Sequence, residues 1–457
     1  MHRSLVIAVL SAACASRAQH TVALYEGGDY AGAARTADAE LAGHPGDEAL
    51  WQMRIRAALA LGDAPGVARA YAAYRTQLAG DDDRELVRDL AIATLGQALA
   101  SPSPRVVIAA IEAVEAAELE PLADQVARRL RDDDDRVVAT AAVAVLHGAP
   151  DAPKAAGDML HSEDAEARRI AVDGIGKKVG ALAIADLEAA AGDPEPPVRR
   201  AAVRWLGRLK DRGAVALLTV RLADPDDAVR AAAASALAQI GPPGGPGLGE
   251  LARRALADRA LAVRLAGIEL VVAAGDRGAL AALAEDPDPM VATEAAIAGG
   301  GGAPAARAIE RAATAEAWAI RAGAANLAVR ALGREAAVAL ARRLAGDPEL
   351  GVQLAAARVL GHAGDRAAAV AMFAAALTTD HRIDAAVDLA AQDDPRGVQA
   401  LDEAVRDQLH GAAARAAAAA AHRTARKITP GLVAALADDS AGVRVEAAGA
   451  LALLARH

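Results

Sequence analysis

Cysteine is almost absent from this chain of 457 residues: Cys14 is the single one, so neither a disulfide framework nor a thiolate metal cluster is available. Aromatic residues are nearly as scarce, at 2%, although 54% of the residues are hydrophobic. The apolar content is carried by Ala, Leu and Val, and helices faced with such small side chains bury little area each. At about 25 cal/mol per Å² of apolar surface, one hairpin of that kind does not offset the entropy lost on ordering it. Stability has to come from stacking. The net charge of −10 also leaves no basic excess for gripping a phosphate backbone, so no nucleic-acid partner is expected.

Catalytic constellations are missing as well. The Gly299–Gly302 run has no strand pattern before it and no Lys-Ser or Lys-Thr after it, so it is not a phosphate loop. Neither His-Glu-x-x-His nor His-x-x-x-His occurs, and none of the ten histidines is followed by Glu. The acidic runs Asp81–Asp83 and Asp132–Asp135 fall at turns, where carboxylates cap helices, rather than forming the buried pair that acid–base chemistry needs. The expectation is a non-enzymatic chain with no cofactor, no metal and no small-molecule substrate. The rival reading, an accessory or lyase-type protein acting on a small ligand or chromophore protein, requires a pocket of converging polar groups.

What the chain does have is internal repetition. Over 20–79, Gly28-Asp29-Tyr30 with Ala33 recurs 34 residues later as Gly62-Asp63-Ala64 with Val67, with Pro45 between them and Trp51 near the start of the second copy. From 101 to 457 a shorter unit of about 31 residues takes over. It opens on an acidic turn, often Asp-Pro, and continues with a β-branched residue, Arg, and Ala at helical spacing. The clearest copies are Asp193 with Val198-Arg199, Asp224 with Val229-Arg230, Asp258 with Val263-Arg264, and Asp438 with Val443-Arg444. Asp caps the helix that follows, and Pro is tolerated where no donor is needed. In the segment from Val229 to Ile240, the residues Val229, Ala232, Ala233, Ala236, Leu237 and Ile240 fall on one stripe. Weaker copies are anchored at Val106, Val137, Ala167, Val291, Ile320, Val352, Ile383 and Ala414, and Arg gives way to Ala292, Gln353 and Asp384. Gly and Pro interrupt the array at Pro242–Gly247 and at Gly299–Gly302 with Pro304, where a change of curvature is expected.

The 20–79 segment resembles two tetratricopeptide repeats, followed by a bridging helix over 80–100, and 101–457 resembles about twelve short HEAT-like repeats of the kind first described in phycobilisome lyases. That resemblance implies an all-α fold, a right-handed α-α superhelix of helical hairpins of the HEAT or armadillo type. It also implies that Asp193, Arg199, Asp224, Arg230, Asp258, Arg264, Asp438 and Arg444 form a structural ladder of ion pairs between neighbouring repeats. Residues 1–19 resemble a bacterial lipoprotein leader: His2 and Arg3, an apolar run from Leu5 to Leu10, then Ser11-Ala12-Ala13 before Cys14, with Ser11 where that family usually carries Leu. The resemblance implies secretion across the inner membrane and a periplasmic protein lipidated at Cys14; the apolar run itself is too short to span a bilayer.

Function by this reading is protein binding, as a scaffold or adaptor in a bacterial envelope complex. Interface energy concentrates in Trp, Tyr and Arg, which singles out Arg200, Arg204 and Trp205 in one repeat, Trp318 in another, and Tyr30, Trp51 and Tyr71 in the N-terminal repeats. Trp205 and Trp318 fit a core position as well as a contact. Leu451, Leu453 and Leu454 are expected to be partly exposed or covered by a partner, because solenoid ends normally carry a polar cap.

Overall fold

The structure is a computed structural model that describes residues 18–78, 83–241, 247–407 and 411–456. Residues 1–17, which include Cys14 and most of the leader expected over 1–19, and residues 242–246 of the Gly/Pro interruption lie outside the described residues. Every regular element among the described residues is helical. The chain begins with α1 (18–26), α2 (Tyr30–Gly43), α3 (Glu48–Ala60), α4 (Ala64–Leu78), α5 (Arg84–Leu99) and α6 (Pro104–Ala116). It continues with α7 (Ala123–Arg128), α8 (Asp135–Ala144), α9 (Ala152–Met159), α10 (Ala165–Lys178), α11 (Ile184–Ala190), α12 (Pro196–Arg208), α13 (Val215–Arg221) and α14 (Asp227–Ile240). Next come α15 (Leu248–Leu256), α16 (Leu261–Ala274), α17 (Arg277–Leu283), α18 (Pro289–Ala298), α19 (Gly302–Ala313), α20 (Trp318–Leu332), α21 (Arg334–Leu344), α22 (Leu350–His362) and α23 (Arg366–Ala376). The last are α24 (Arg382–Ala391), α25 (Pro395–Arg406), α26 (Ala412–Ala425), α27 (Pro430–Ala434) and α28 (Ala441–Arg456).

These helices form two compact units. One is Ala127–Ala376; the other joins the stretch up to Val126 with the stretch from Leu377 onward.

In the Ala127–Ala376 unit, short first helices alternate with longer second helices, and the second helices stack on one another from α8 to α22. Local chemistry sets where each begins. The carboxylates of Asp164, Asp226 and Asp288 accept N–H groups of the first turns of α10, α14 and α18, and Pro196 and Pro289 occupy first-turn positions that need no donor. No hairpin owns a core. A single apolar cluster runs through Val172, Leu187, Leu206, Leu218, Val229, Leu251, Val263 and Val291 without a break between hairpins. The seams are tight because the side chains are small. A Cβ on Gly207 of α12 would lie 2.6 Å from the Cα of Ala236 in α14, so any larger residue there separates the two helices, at a cost of about 1–3 kcal/mol. At the glycine run, Gly300, Gly301 and Gly302 take φ of 112°, 78° and 70° between α18 and α19, a path closed to most side chains.

The other unit brings the two ends of the chain together. Asp29 and Asp63 accept the N–H groups of Gly32 and Gly66 at 2.8 and 2.9 Å, which gives the 34-residue recurrence a physical meaning as two equivalent helix starts. The helix expected over 80–100 is α5, begun by the Asp83 carboxylate. α27 packs on α4, α28 lies along α5 and α6, and the Arg456 guanidinium pairs with Glu118. This corrects the expectation for Leu451, which is buried in a helix packed on the chain's own α5 and α6, whereas Leu453 and Leu454 remain partly exposed as expected. α5 buries Leu86, Leu90 and Leu95 and packs along α28. His422 of α26 is fully buried; burial pushes its pKa down, against the opposing pull of the Ala418 carbonyl.

Candidate functional site

One arginine near the start of most second helices uses both edges of its guanidinium. In Arg199, Nη1 donates to the carbonyls of Asp193 and Pro194 in its own turn at 2.9 and 2.8 Å, while Nε and Nη2 grip the Asp224 carboxylate of the next turn at 2.9 and 2.7 Å. Arg230 repeats this with Asp224 and Pro225 behind it and Asp258 ahead. Arg168 does so with Asp193, and Arg321 with Asp347. In the end-to-end unit Arg415 holds Asp438 through Nε and Nη2. Each aspartate also accepts a backbone N–H two residues on, as Asp224 does from Asp226 at 3.0 Å, so its charge is fully hydrogen-bonded. Arg264 departs from the register: it reaches Asp288 with one nitrogen, not Asp286.

The six-residue interval from Asp to Arg thus marks a contact to the Asp backbone, and the carboxylate contact joins residues 25 apart. This division explains the degenerate copies. At four copies without the arginine the next turn lacks the aspartate too: Val138 is followed by Ser162, Ala292 by Ala315, Gln353 by Thr378, and Asp384 by Leu409; the first copy is the exception, with Val107 followed by Asp132. Where it is present at Arg321, its own turn offers the carbonyl of Ala315, which needs no particular side chain. Arg168, Arg321, Arg415, Asp288 and Asp347 are ladder members that sequence reasoning missed. The signal that finds them is an arginine directly after the anchors Ala167, Ile320 and Ala414.

The arginines set the carboxylate protonation. Hydrogen bonding from Arg230 and Arg321 holds Asp258 and Asp347 below the usual range. At Asp193 and Asp224 burial is the largest influence and pushes upward, but the arginine and backbone hydrogen bonds together outweigh it and leave both depressed.

Residues beside the ladder face outward. On α12, Arg200, Arg204 and Arg208 recur every fourth residue and all are exposed, while Arg199 is turned into the stack. Arg200 has no ion-pair partner among the described residues. Arg204 approaches Asp173 of α10 at 3.7 Å. Trp205 is half-buried. Its ring lies against Gly176, where a Cβ would come within 2.4 Å, its Nε1 donates to Asp173 at 2.9 Å, and Arg208 stacks on it at 4.9 Å. It is core on one side and surface on the other. Farther along, the second-helix face becomes apolar and acidic. A groove of about 660 Å³ opens among α14, α16, α18 and α20, lined by Leu265, Ile268, Glu269, Val272, Glu294 and Arg330.

The other ring candidates separate. Trp318 is 52% exposed at the start of α20. Tyr30 is half-buried beside Tyr25, with ring centroids 5.2 Å apart, and half-buried Trp51 donates its Nε1 to the Pro45 carbonyl. Tyr71 is fully buried, which corrects its place among the contact residues: it fills the core under α4 and offers no exposed surface. Among the described residues, no group of three or more His, Cys, Asp or Glu is placed to hold a metal ion, and no helix is long and apolar enough to cross a membrane.

Residues 153–238 and 184–271 match the family of HEAT repeats. The search of curated proteins finds no match. Among solved structures, an engineered protein is 20% identical over 75% of this chain and 95% of its own, with a TM-score of 0.31. The complex of CpcE and CpcF of phycocyanin lyase from a Nostoc species is 20% identical, covering 64% of this chain and 91% of that one, with a TM-score of 0.23. Kap121p is 12% identical over 83% of this chain, which spans about half of that protein (51%), with a TM-score of 0.33. The assignment to HEAT-type helical repeats rests on the family match and on the hairpins themselves.

The depressed aspartates make stability acid-sensitive with a definite sign. A carboxylate whose folded pKa lies below its unfolded value of about 3.9 stabilises the fold above that pH, and this contribution is lost as pH falls through the folded value. Buried His422 adds a separate loss that starts near its unfolded value of about 6.5. Comparing the wild type with Asp258→Asn isolates the carboxylate. The thermal midpoint of the variant should be lower at neutral pH and fall less steeply below about pH 4. Parallel midpoint curves for the two proteins would show that Arg230 does not depress Asp258.

Proposed function

We propose that this chain is a non-catalytic protein-binding scaffold of a bacterial envelope complex, tethered through Cys14, and that its docking face is the second-helix surface from α10 to α20. The observation that carries this reading is the division of labour on α12. Arg199 is consumed by the ladder, while Arg200, Arg204 and Arg208 stand outward around a half-buried Trp205. Arg200 has no ion-pair partner among the described residues, and the contacts of Arg204 to Asp173 and of Arg208 to Trp205 are made by exposed side chains at the surface. Arginine beside an anchored tryptophan is the composition of an interface hot spot.

The surface also suits one kind of partner. Its basic end at α12 and its apolar groove around α16 are two helix spacings apart, roughly 20 Å, a distance that about six residues of extended chain cover. The segment that fits carries acidic residues at one end and, about six residues away, apolar side chains for Leu265, Ile268 and Val272. Charge complementarity would then govern capture and make it sensitive to salt.

Two measurements test these parts separately. With a photo-crosslinker in the groove to identify the partner, a variant carrying Arg200→Glu, Arg204→Glu and Arg208→Glu should bind it at least about tenfold more weakly, a loss of about 1.4 kcal/mol or more, with its thermal midpoint unchanged. Undiminished binding would place the docking face elsewhere. For the tether, Cys14→Ser should move the protein from the membrane fraction to the soluble fraction; unchanged membrane association would remove the anchor from the proposal.

A further inference from the structure

Of the ladder arginines, Arg168, Arg199, Arg230, Arg264, Arg321 and Arg415 each grip a carboxylate with the edge that faces the next turn. Arg444 makes only the other half of the contact. Its Nη1 donates to the carbonyls of Asp438 and Asp439 at 2.6 and 3.0 Å, the same two bonds to its own turn that Arg199 makes, so the guanidinium is oriented as in the rest of the ladder. Its Nε and Nη2 have no acceptor among the described residues. α5 and the start of α6 pack against α28 and leave a cavity of about 240 Å³ lined by Arg444, Thr94, Gln97, Ser101, Val106 and Ala441.

We propose that this cavity is a carboxylate-binding site, in which a carboxylate from outside the described residues binds the open edge of Arg444 as Asp224 binds Arg199. The donor set fits that group. Two parallel N–H bonds from a guanidinium edge match a carboxylate in the geometry that Asp224 and Asp258 display. Ser101 already accepts the N–H of Ser103, which leaves its hydroxyl proton to donate, and the Gln97 amide lines the same space. Thr94 donates to its own helix at Leu90 and contributes shape rather than a bond. Val106 and Ala441 supply apolar wall for a short hydrocarbon stem. At this volume, below the range of ordinary drug-sized pockets, the occupant is a small carboxylic acid or a single carboxylate side chain of a polypeptide. The site is independent of the α12 face, which lies on the other unit.

Acetate reproduces the aspartate side chain from Cβ outward, and trifluoroacetate adds a fluorine signal. On the full-length protein, ¹⁹F line broadening of trifluoroacetate should be present, be reversed by acetate and persist in chloride at equal ionic strength. Arg444→Gln should weaken binding at least about tenfold, Gln97→Ala should weaken it to a smaller degree, and Arg254→Gln, an exposed arginine elsewhere, should leave it unchanged. If Arg444→Gln fails to fold, Gln97→Ala carries the comparison. A short peptide with one internal aspartate decides the source: competition well beyond that of acetate identifies a polypeptide side chain, and equal competition identifies a free acid, each consistent with the site. Broadening that is absent in the wild type, or unchanged in both Arg444→Gln and Gln97→Ala, would overturn the proposal.

Discussion

A guanidinium held on one edge by the carbonyls of its own turn and on the other by the carboxylate of the next is the contact on which the register of this protein depends. Alanine-rich helices pack closely but with little shape to distinguish one alignment from its neighbour. A sliding hairpin would lose little apolar burial and would break a bidentate ion pair. The pair is expensive to desolvate, and buried ion pairs are often no better for stability than apolar substitutes. Here the charge is satisfied on every side: Asp224 receives Arg199, Arg221 and the Asp226 N–H, so removing Asp224 leaves one edge of buried Arg199 without its carboxylate, while removing Arg199 leaves Asp224 with Arg221 and the backbone. The rung therefore contributes specificity of stacking more than raw stability.

The same geometry explains how a surface can be placed beside the ladder without disturbing it. Consecutive helix positions differ by about 100° around the axis, so Arg199 enters the seam while Arg200 faces outward, and the outward series continues through Arg204 and Arg208 on the same stripe. Structural and exposed arginines are neighbours in sequence but belong to different environments. Trp205 is the one side chain on α12 that belongs to both, because Gly176 leaves room for half of its ring.

The all-helical fold and the repeat period were legible in the sequence because they follow from composition, from Asp-Pro punctuation and from the stripe on helices such as α14. The ladder was legible as a spacing but not as a set of partners. Asp193 and Arg199 sit six apart because an arginine reaches a backbone carbonyl, whereas its carboxylate lies 25 residues ahead and leaves no local trace. Arg321 and Arg415 were not read as rungs because their own turns lack the aspartate, which serves only the preceding repeat. Tyr71 read as a contact because aromatic residues are rare here, but burial is a property of tertiary packing. The cover over Leu451 was beyond reach for a related reason: α5 and α28 are far apart in the chain, and nothing in either helix names the other.

The central claim is that the ladder couples successive turns directly, and a double-mutant cycle measures that coupling. Stability would be determined for the wild type, Arg199→Gln, Asp224→Asn and the double variant, with unfolding followed locally by amide exchange in α12 and α14. The account predicts a coupling energy of about 2 kcal/mol or more between the two positions, with lost protection concentrated on both sides of the cut rung. Additive effects, with a coupling near zero, would mean that apolar stacking alone sets the register and that the arginines are incidental to it.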